Sequence, residues 1–109
     1  MKHSKLFIFA IMTTLAVSGC KHQAATYPTD TLTTKNGSQL TITFFKHASL
    51  AIETEGRHIY IDPISQYADY ASLPKADLIL ITHSHYDHLD SAAVAALSTA
   101  ATTVVGDRT

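Results

Sequence analysis

The sequence is poor in cysteine, in basic runs and in repeated segments. Its single cysteine, Cys20, excludes an internal disulfide and a cysteine-rich metal site. From Cys20 onward there are six basic and nine acidic residues, a net charge of −3, and the basic residues are not clustered. This charge pattern predicts no nucleic-acid partner. At 109 residues the chain holds at most one domain.

The sequence also lacks an apolar stretch long enough to cross a membrane as a helix. Lys2 and Lys5 precede an apolar stretch from Leu6 to Val17, about twelve residues long, whereas a spanning helix needs roughly 20. A positive start, a short apolar stretch and small residues are typical of an export signal. We therefore predict a signal peptide over residues 1–19, with a transmembrane anchor as the alternative.

The segment Val17-Ser18-Gly19-Cys20 resembles the lipobox of bacterial lipoproteins, in which the signal is cut before the cysteine and the thiol is acylated. The resemblance implies lipid attachment at Cys20 and a membrane as partner; an ordinary secretory signal is the alternative. Two or more acyl chains anchor a protein stably. The residue after Cys20 is Lys21, and not the aspartate that retains lipoproteins of enteric bacteria at the inner membrane. By this resemblance we expect the protein to be located at the periplasmic side of the outer membrane. The polar residues 20–30 predict a tether.

The domain is predicted over residues 31–109 and begins with strands. Asn36-Gly37 lies between the strand-like runs Thr31–Lys35 and Ser38–Phe45, which predicts a hairpin with a two-residue turn. In the second run apolar and polar residues alternate, so one face of that strand should be buried.

Later segments indicate a layered α/β fold. Leu78–Ile81 is apolar at every position, which predicts a strand buried on both faces. Asp90 or Ser91 is expected to cap a short helix ending near Leu97, and Thr103–Val105 to form another strand. Strands followed by a helix and a strand predict an α/β sandwich.

Metal-binding side chains are concentrated directly after the apolar strand. His83, His85, Asp87 and His88 lie within six residues and offer the nitrogen and oxygen donors that zinc, iron and manganese accept. The end of a strand is where α/β sheets place their sites. By composition alone the pattern H-x-H-x-D-H arises in about one of 600 such chains. A solvated polar loop is the alternative interpretation.

This pattern matches the signature motif of the metallo-β-lactamase superfamily at every fixed position. The resemblance implies the amino-terminal half of an αββα sandwich, with mostly antiparallel strands followed by a metal loop and a helix. It implies that His83 and His85 bind one divalent ion, and that Asp87 and His88 bind a second. Zn²⁺ is the expected ion, with Mn²⁺ or Fe as alternatives.

Two further segments extend the resemblance. Asp62, before Pro63, stands where the family has an acid that supports the metal loop without binding metal; a simple turn residue is the alternative. Phe45–Ser49 together with Asp62-Pro63 is similar to the branch that contains ascorbate-6-phosphate lactonase-like proteins. His47, within that segment, is expected to be a structural histidine rather than a ligand.

The resemblance implies a hydrolase that acts on a small-molecule ester, lactone, amide or phosphodiester. Bound zinc lowers the pKa of its water to about 7 and so supplies hydroxide at neutral pH. Asp87 is the predicted catalytic residue, because it can accept a hydrogen bond from that hydroxide and orient it.

The family completes its two metal sites with downstream residues that this chain lacks, since no histidine follows His88. We therefore expect an amino-terminal fragment that binds metal poorly and does not turn over substrate by itself. The alternative function is a non-enzymatic, metal-binding lipoprotein of the cell envelope. The substrate and the oligomeric state are not defined by the sequence.

Overall fold

The computed structural model describes residues 25–107. The predicted signal peptide over residues 1–19 and the lipid-attachment residue Cys20 lie outside these described residues. The described part contains six strands, one α-helix and one short 3₁₀ helix. In chain order they are β1 Thr29–Thr33, β2 Gln39–Lys46, β3 Ser49–Thr54, β4 Arg57–Ile61, the 3₁₀ helix Tyr70–Ser72, β5 Leu78–Ile81, α1 Ser91–Leu97 and β6 Thr103–Gly106.

The six strands form one mixed sheet in the sequential order β1-β2-β3-β4-β5-β6. β1 to β4 pair antiparallel through short connections, whereas β4, β5 and β6 run parallel. Parallel neighbours need a longer crossover than a hairpin supplies. Residues 62–77 form the first crossover and residues 82–102, which include α1, form the second. The prediction of mostly antiparallel strands followed by a loop and a helix is confirmed.

The first hairpin differs in detail from the sequence prediction. Gly37 adopts a positive φ of 86°, but Asn36 does not. The Gly37 amide donates to the Thr34 carbonyl, and the Thr34 amide donates to the Ser38 carbonyl. These bonds enclose three residues, in the pattern of a turn followed by a left-handed glycine. The predicted two-residue turn is therefore wrong, because glycine alone adopts the left-handed conformation here.

Tyr27 and Pro28 lie directly before β1, which starts at Thr29, and both contact β2. The extents given from the sequence to the tether and the domain stay predictions. Tyr27 packs edge-on against Phe45 with ring centroids 4.8 Å apart, and the Phe44 amide donates to the Pro28 carbonyl. These contacts attach the segment before β1 to the sheet. The mostly polar sequence of that segment does not indicate them.

The core lies on the face of the sheet that α1 covers. Ile79 and Leu97 are completely buried, and Tyr60 and Tyr70 pack edge-on in the same cluster. Asp90 begins α1 as predicted, since its side chain accepts hydrogen bonds from the amides of Ala92 and Ala93. Burial of the helix's apolar side chains holds it in place, because a helix of seven residues is too short to be stable by itself even when it is rich in alanine.

The opposite face of the sheet is apolar and incompletely covered. Strand β5 was predicted to be buried on both faces, but only Ile79 and Ile81 are buried, while Leu78 and Leu80 are partly exposed. That prediction is wrong for the described residues, because their single α-helix covers one face only. The pairing register places further apolar side chains on the same open face, namely Leu40, Ile42, Phe44, Leu50, Ile52, Ile59, Ile61 and Val105.

Within residues 25–107, no helix has the length and apolar character needed to cross a lipid bilayer.

The buried hydroxyl of Tyr60 generates a prediction for alkaline pH. Burial raises the pKa of Tyr60 to about 12, with smaller contributions from Tyr70 and Glu53, and its hydroxyl donates to the Pro74 carbonyl at 2.8 Å. A pKa above the unfolded value near 10 stabilises the fold fully below pH 10, and this contribution is lost as the pH rises towards 12.

We therefore expect the free energy of unfolding of the wild type to fall by up to about 3 kcal/mol more than that of Tyr60→Phe between pH 10 and 12. Urea denaturation at several pH values in this window measures the difference. Parallel pH profiles for the two proteins would contradict the assignment.

Candidate metal centre

One edge of the sheet collects the side chains that carry the candidate site. β4 and β5 run parallel, so their carboxyl ends are adjacent and lead directly into Asp62 and Thr82. β3 runs antiparallel to β4, so the turn that precedes it, His47-Ala48, reaches the same edge. The histidine-rich loop 83–88 follows β5. Three segments that are distant in sequence thus meet at one place.

Asp62 is the centre of this cluster and is completely buried. Its Oδ1 accepts from the Thr82 amide at 2.7 Å, and its Oδ2 accepts from the Thr82 hydroxyl at 2.6 Å. The Nδ1 atom of His88 lies 2.7 Å from the same Oδ2. Burial acts to raise the pKa of Asp62, but the hydrogen bonds from Thr82 and His88 outweigh it and hold that pKa below its usual value. The side chain is therefore a buried carboxylate whose charge is fully hydrogen-bonded.

The backbone at Asp62 is strained and held by buried neighbours. Its φ is 44°, in the left-handed region, although it precedes a proline and carries a side chain. The buried Ser49 hydroxyl donates to the Asp62 carbonyl at 2.5 Å, and the Asp62 amide donates to the Leu80 carbonyl at 2.9 Å. Strain of this kind costs on the order of 1–3 kcal/mol and persists only where surrounding contacts impose it.

The hydrogen bonds around Asp62 define how the two nearest histidines are oriented. Because Asp62 is a carboxylate, the Nδ1 of His88 is the donor and its Nε2 is left as an acceptor. The Thr82 hydroxyl donates to Asp62, so the Nδ1 of His83 can donate to Thr82 Oγ1, 3.0 Å away. A histidine that donates one nitrogen to an acceptor in this way presents its other nitrogen to a metal. Thr82 was not predicted from the sequence as part of the site. The one feature that could have indicated it is its position between the end of β5 and His83.

Asp87 and two imidazoles form the tightest group of metal-binding atoms among the described residues. The Nε2 of His47 lies 3.2 Å from Asp87 Oδ2 and 3.3 Å from His88 Nε2, and His88 Nε2 lies 3.6 Å from Asp87 Oδ2. Burial acts to raise the pKa of Asp87, but a backbone hydrogen bond and the nearby His88 and His47 hold it below its usual value. His47, expected from the sequence to be a structural histidine, is thus in contact with two of the predicted ligands.

The remaining predicted ligands lie in the same loop. His83 and His85 stack edge-on with ring centroids 4.6 Å apart, and His83 and His88 are 3.9 Å apart by the same measure. The His85 carbonyl accepts from the amides of His88 and Leu89, which turns the loop back on itself. The structure therefore brings all four predicted ligands to one end of the sheet, and the assignment of His83 and His85 to a separate ion stays a prediction.

Asp90 joins the metal loop to the first crossover. Its Oδ2 accepts from the Ser65 amide at 2.8 Å while its Oδ1 caps α1. Burial acts to raise the pKa of Asp90, but these hydrogen bonds hold it below its usual value. A cavity of about 160 Å³ lies between the two segments, next to Asp87. It is lined by Ile64, Gln66, Tyr67, Tyr86, Asp87 and Asp90.

Comparison with known proteins identifies the family. Residues 41–108, more than half of the chain, match the beta-lactamase superfamily domain. The chain belongs to this superfamily. The matched region includes the H-x-H-x-D-H motif and Asp62. The mixed sheet with one helix is consistent with part of a metallo-β-lactamase fold.

Similar proteins carry names that refer to metal-dependent hydrolysis. A UPF0173 metal-dependent hydrolase of Flavobacterium johnsoniae is 51% identical over 53 residues, which are 44% of this chain and 24% of that protein. A UPF0173 metal-dependent hydrolase of Bacillus pumilus is 41% identical over 51 residues, covering 43% of this chain and 22% of that protein.

A solved structure is also similar. It is the crystal structure of a Parabacteroides distasonis protein that is described by name as a proposed metal-dependent hydrolase. It is 48% identical, with a TM-score of 0.72 over 72% of this chain and 36% of that chain. The present chain therefore spans about a quarter of the length of these curated relatives and about a third of the solved one.

The hydrogen bonds of Asp62 generate a prediction for Asp62→Asn. Asparagine tolerates a positive φ as aspartate does, so the change isolates the carboxylate. Whichever way the amide is turned, its NH₂ faces a group that now donates to Asp62. We expect the free energy of unfolding to fall by about 1–3 kcal/mol, measured by urea denaturation of the metal-free chain. Asp30→Asn, at an exposed position of β1, is the control and should change it little. Equal stability of the two variants would contradict the role given to Asp62.

Proposed function

We propose that this chain is the amino-terminal part of an exported, metal-dependent hydrolase. The observation that carries the proposal is the buried Asp62 carboxylate, which orients His88 so that its Nε2 points towards Asp87 and His47. A carboxylate behind a histidine is the usual arrangement around protein-bound metal. The names of the similar proteins, which refer to metal-dependent hydrolysis, support the same conclusion.

The cofactor proposed from the motif is two divalent ions. His83 and His85 would hold one ion, and Asp87 and His88 the other, with Zn²⁺ expected and Mn²⁺ or Fe as alternatives. A bound divalent metal lowers the pKa of a coordinated water from 15.7 to about 7.

The chain's own residues contribute orientation and proton acceptance. Asp62 and Thr82 hold the rings of His88 and His83 by their Nδ1 atoms, so that neither ring is free to rotate. Asp87 stays ionised at neutral pH, because its pKa is below the usual value. Its side chain is one-third exposed and lines the neighbouring cavity. The carboxylate can therefore accept a hydrogen bond from an attacking water beside a bound small molecule.

The proposed substrate is an ester, lactone, amide or phosphodiester, since attack by an activated water suits each of them. The segment Phe45–Ser49 together with Asp62-Pro63 favours the lactonase-like branch of the superfamily. The apolar, half-covered face of the sheet suits the second sheet of an αββα sandwich, which further chain would have to supply. The greater length of the similar proteins supports this larger domain.

The first test is the mass of the native protein in its host, by immunoblot against residues 38–89. We expect a band well above the 11.8 kDa of this chain, because the proposal requires downstream ligands. A band at or just below that mass would leave the non-enzymatic metal-binding lipoprotein as the better function.

The second test is hydrolysis by the protein of native length, assayed on lactone, ester and phosphodiester substrates. Removal of metal by a chelator should abolish activity, and Zn²⁺ or Mn²⁺ should restore it. Asp87→Ala should lower kcat/KM by about 10²- to 10⁴-fold. Asp69→Ala, at an exposed position outside the cluster, is the control and should leave it unchanged. Full activity after complete metal removal would contradict the proposal.

We further propose that the protein is held by lipid on Cys20 at the periplasmic side of the outer membrane. Metabolic labelling with a fatty acid should mark the wild type and leave Cys20→Ser unlabelled, since Cys20 is the only thiol. In membrane fractionation, the wild type should be found in the outer-membrane fraction and Cys20→Ser in the soluble fraction. Labelling that survives the substitution would contradict the assignment.

A further inference from the structure

The turn between β2 and β3 carries a histidine that the metal motif does not include. His47 is the first residue of this two-residue turn, and its side chain is about half exposed. Its Nε2 nevertheless lies 3.2 Å from Asp87 Oδ2 and 3.3 Å from His88 Nε2. With the 3.6 Å separation of the latter two atoms, the three donors form a nearly equilateral triangle.

The size of this triangle matches the coordination of a small divalent ion. Zinc binds histidine nitrogen and carboxylate oxygen at about 2.0–2.2 Å in tetrahedral geometry, which separates neighbouring donor atoms by about 3.3–3.5 Å. The Nε2 of His88 and the Oδ2 of Asp87 are both acceptors, so at these separations either a proton on His47 Nε2 or a cation lies between the three atoms. Two imidazoles and one carboxylate also form a common set of three protein ligands in catalytic zinc sites.

The backbone conformation of His47 is that of a tight hairpin turn. His47 has a φ of 55°, in the left-handed region, and with Ala48 it forms the two-residue turn between β2 and β3. Glu55, with a φ of 50°, has the same position in the Glu55-Gly56 turn between β3 and β4. The turn places the His47 imidazole beside Asp87 and His88, and its positive φ has no separate bearing on metal binding.

We infer that His47 is a metal ligand and that His47, Asp87 and His88 together hold one divalent ion on this chain. The inference rests on the proposed metal-dependent function and deepens it, since the motif assigns no ligand to the β2–β3 turn. It also changes the expectation that the chain binds metal poorly, because three ligands are already assembled within residues 47–88. Because the His47 side chain is about half exposed, a water molecule or a residue of further chain could complete the coordination of the ion.

The test is a Co²⁺ titration of the full chain, purified in detergent and freed of metal. We expect the wild type to bind Co²⁺ with the visible absorption of a four- or five-coordinate ion. His47→Asn and His47→Gly should bind at least about tenfold more weakly and lose that absorption. Both substitutes accept a positive φ, so their unfolding temperatures should stay near that of the wild type.

His58→Asn is the matched control, because it removes one imidazole from the far end of β4. It should bind Co²⁺ as the wild type does. A second measurement identifies the ligand atom directly: in ¹⁵N spectra of the histidine rings, the Nε2 resonance of His47 should shift when Zn²⁺ is added, and that of His58 should not.

Wild-type affinity and absorption in His47→Gly would overturn the inference, as would a wild-type chain that takes up no Co²⁺. These outcomes are separate from the hydrolase assay. If the protein of native length hydrolyses no substrate, the proposed function is overturned. If His47 substitution still abolishes Co²⁺ binding in that protein, His47 is nevertheless a metal ligand.

Discussion

The buried carboxylate of Asp62 is the constraint on which the rest of the site depends. A completely buried charge is tolerated only when its lone pairs are satisfied. Here the amide and hydroxyl of Thr82, directly after β5, and the Nδ1 of His88 supply those hydrogen bonds. The same three bonds join the end of β4 to the end of β5 and orient His88. Removing the carboxylate would therefore affect the sheet edge and the imidazole together.

The position of Asp62 is itself maintained against local preference. A φ of 44° is unfavourable for a non-glycine residue that precedes a proline. The conformation is held by two hydrogen bonds: the Ser49 hydroxyl donates to the Asp62 carbonyl, and the Asp62 amide donates to the Leu80 carbonyl. Ser49 is buried at the start of β3, directly after the turn that carries His47. One short segment thus supports Asp62 from behind and brings an imidazole to the front of the cluster.

The two faces of the sheet have different consequences. The face under α1 is packed with tyrosines, Ile79 and Leu97, and forms the core of the described residues. The other face carries apolar side chains that are only partly covered. Because apolar surface of this extent is rarely left exposed in a soluble domain, the open face and the short span relative to the similar proteins lead to the same proposal of a larger domain.

The sequence by itself determined the approximate places of β1, β2, β5 and β6, a helix capped at Asp90 or Ser91, the α/β class and a loop with four candidate metal ligands. Alternation, capping and the H-x-H-x-D-H spacing are local patterns, so each could be recognised without the fold. Only the tertiary structure decided that His47 and Thr82 belong with that loop. His47 lies 41 residues before His88, and no local pattern indicates that a β-turn and a strand end will meet. The packing of Tyr27 and the uncovered side of β5 were also decided by contacts between distant residues, whereas the three-residue turn at Gly37 follows from the conformation of a single glycine. Pairing of antiparallel and parallel strands in one sheet brings these segments to a common edge, and that pairing is a property of the whole fold.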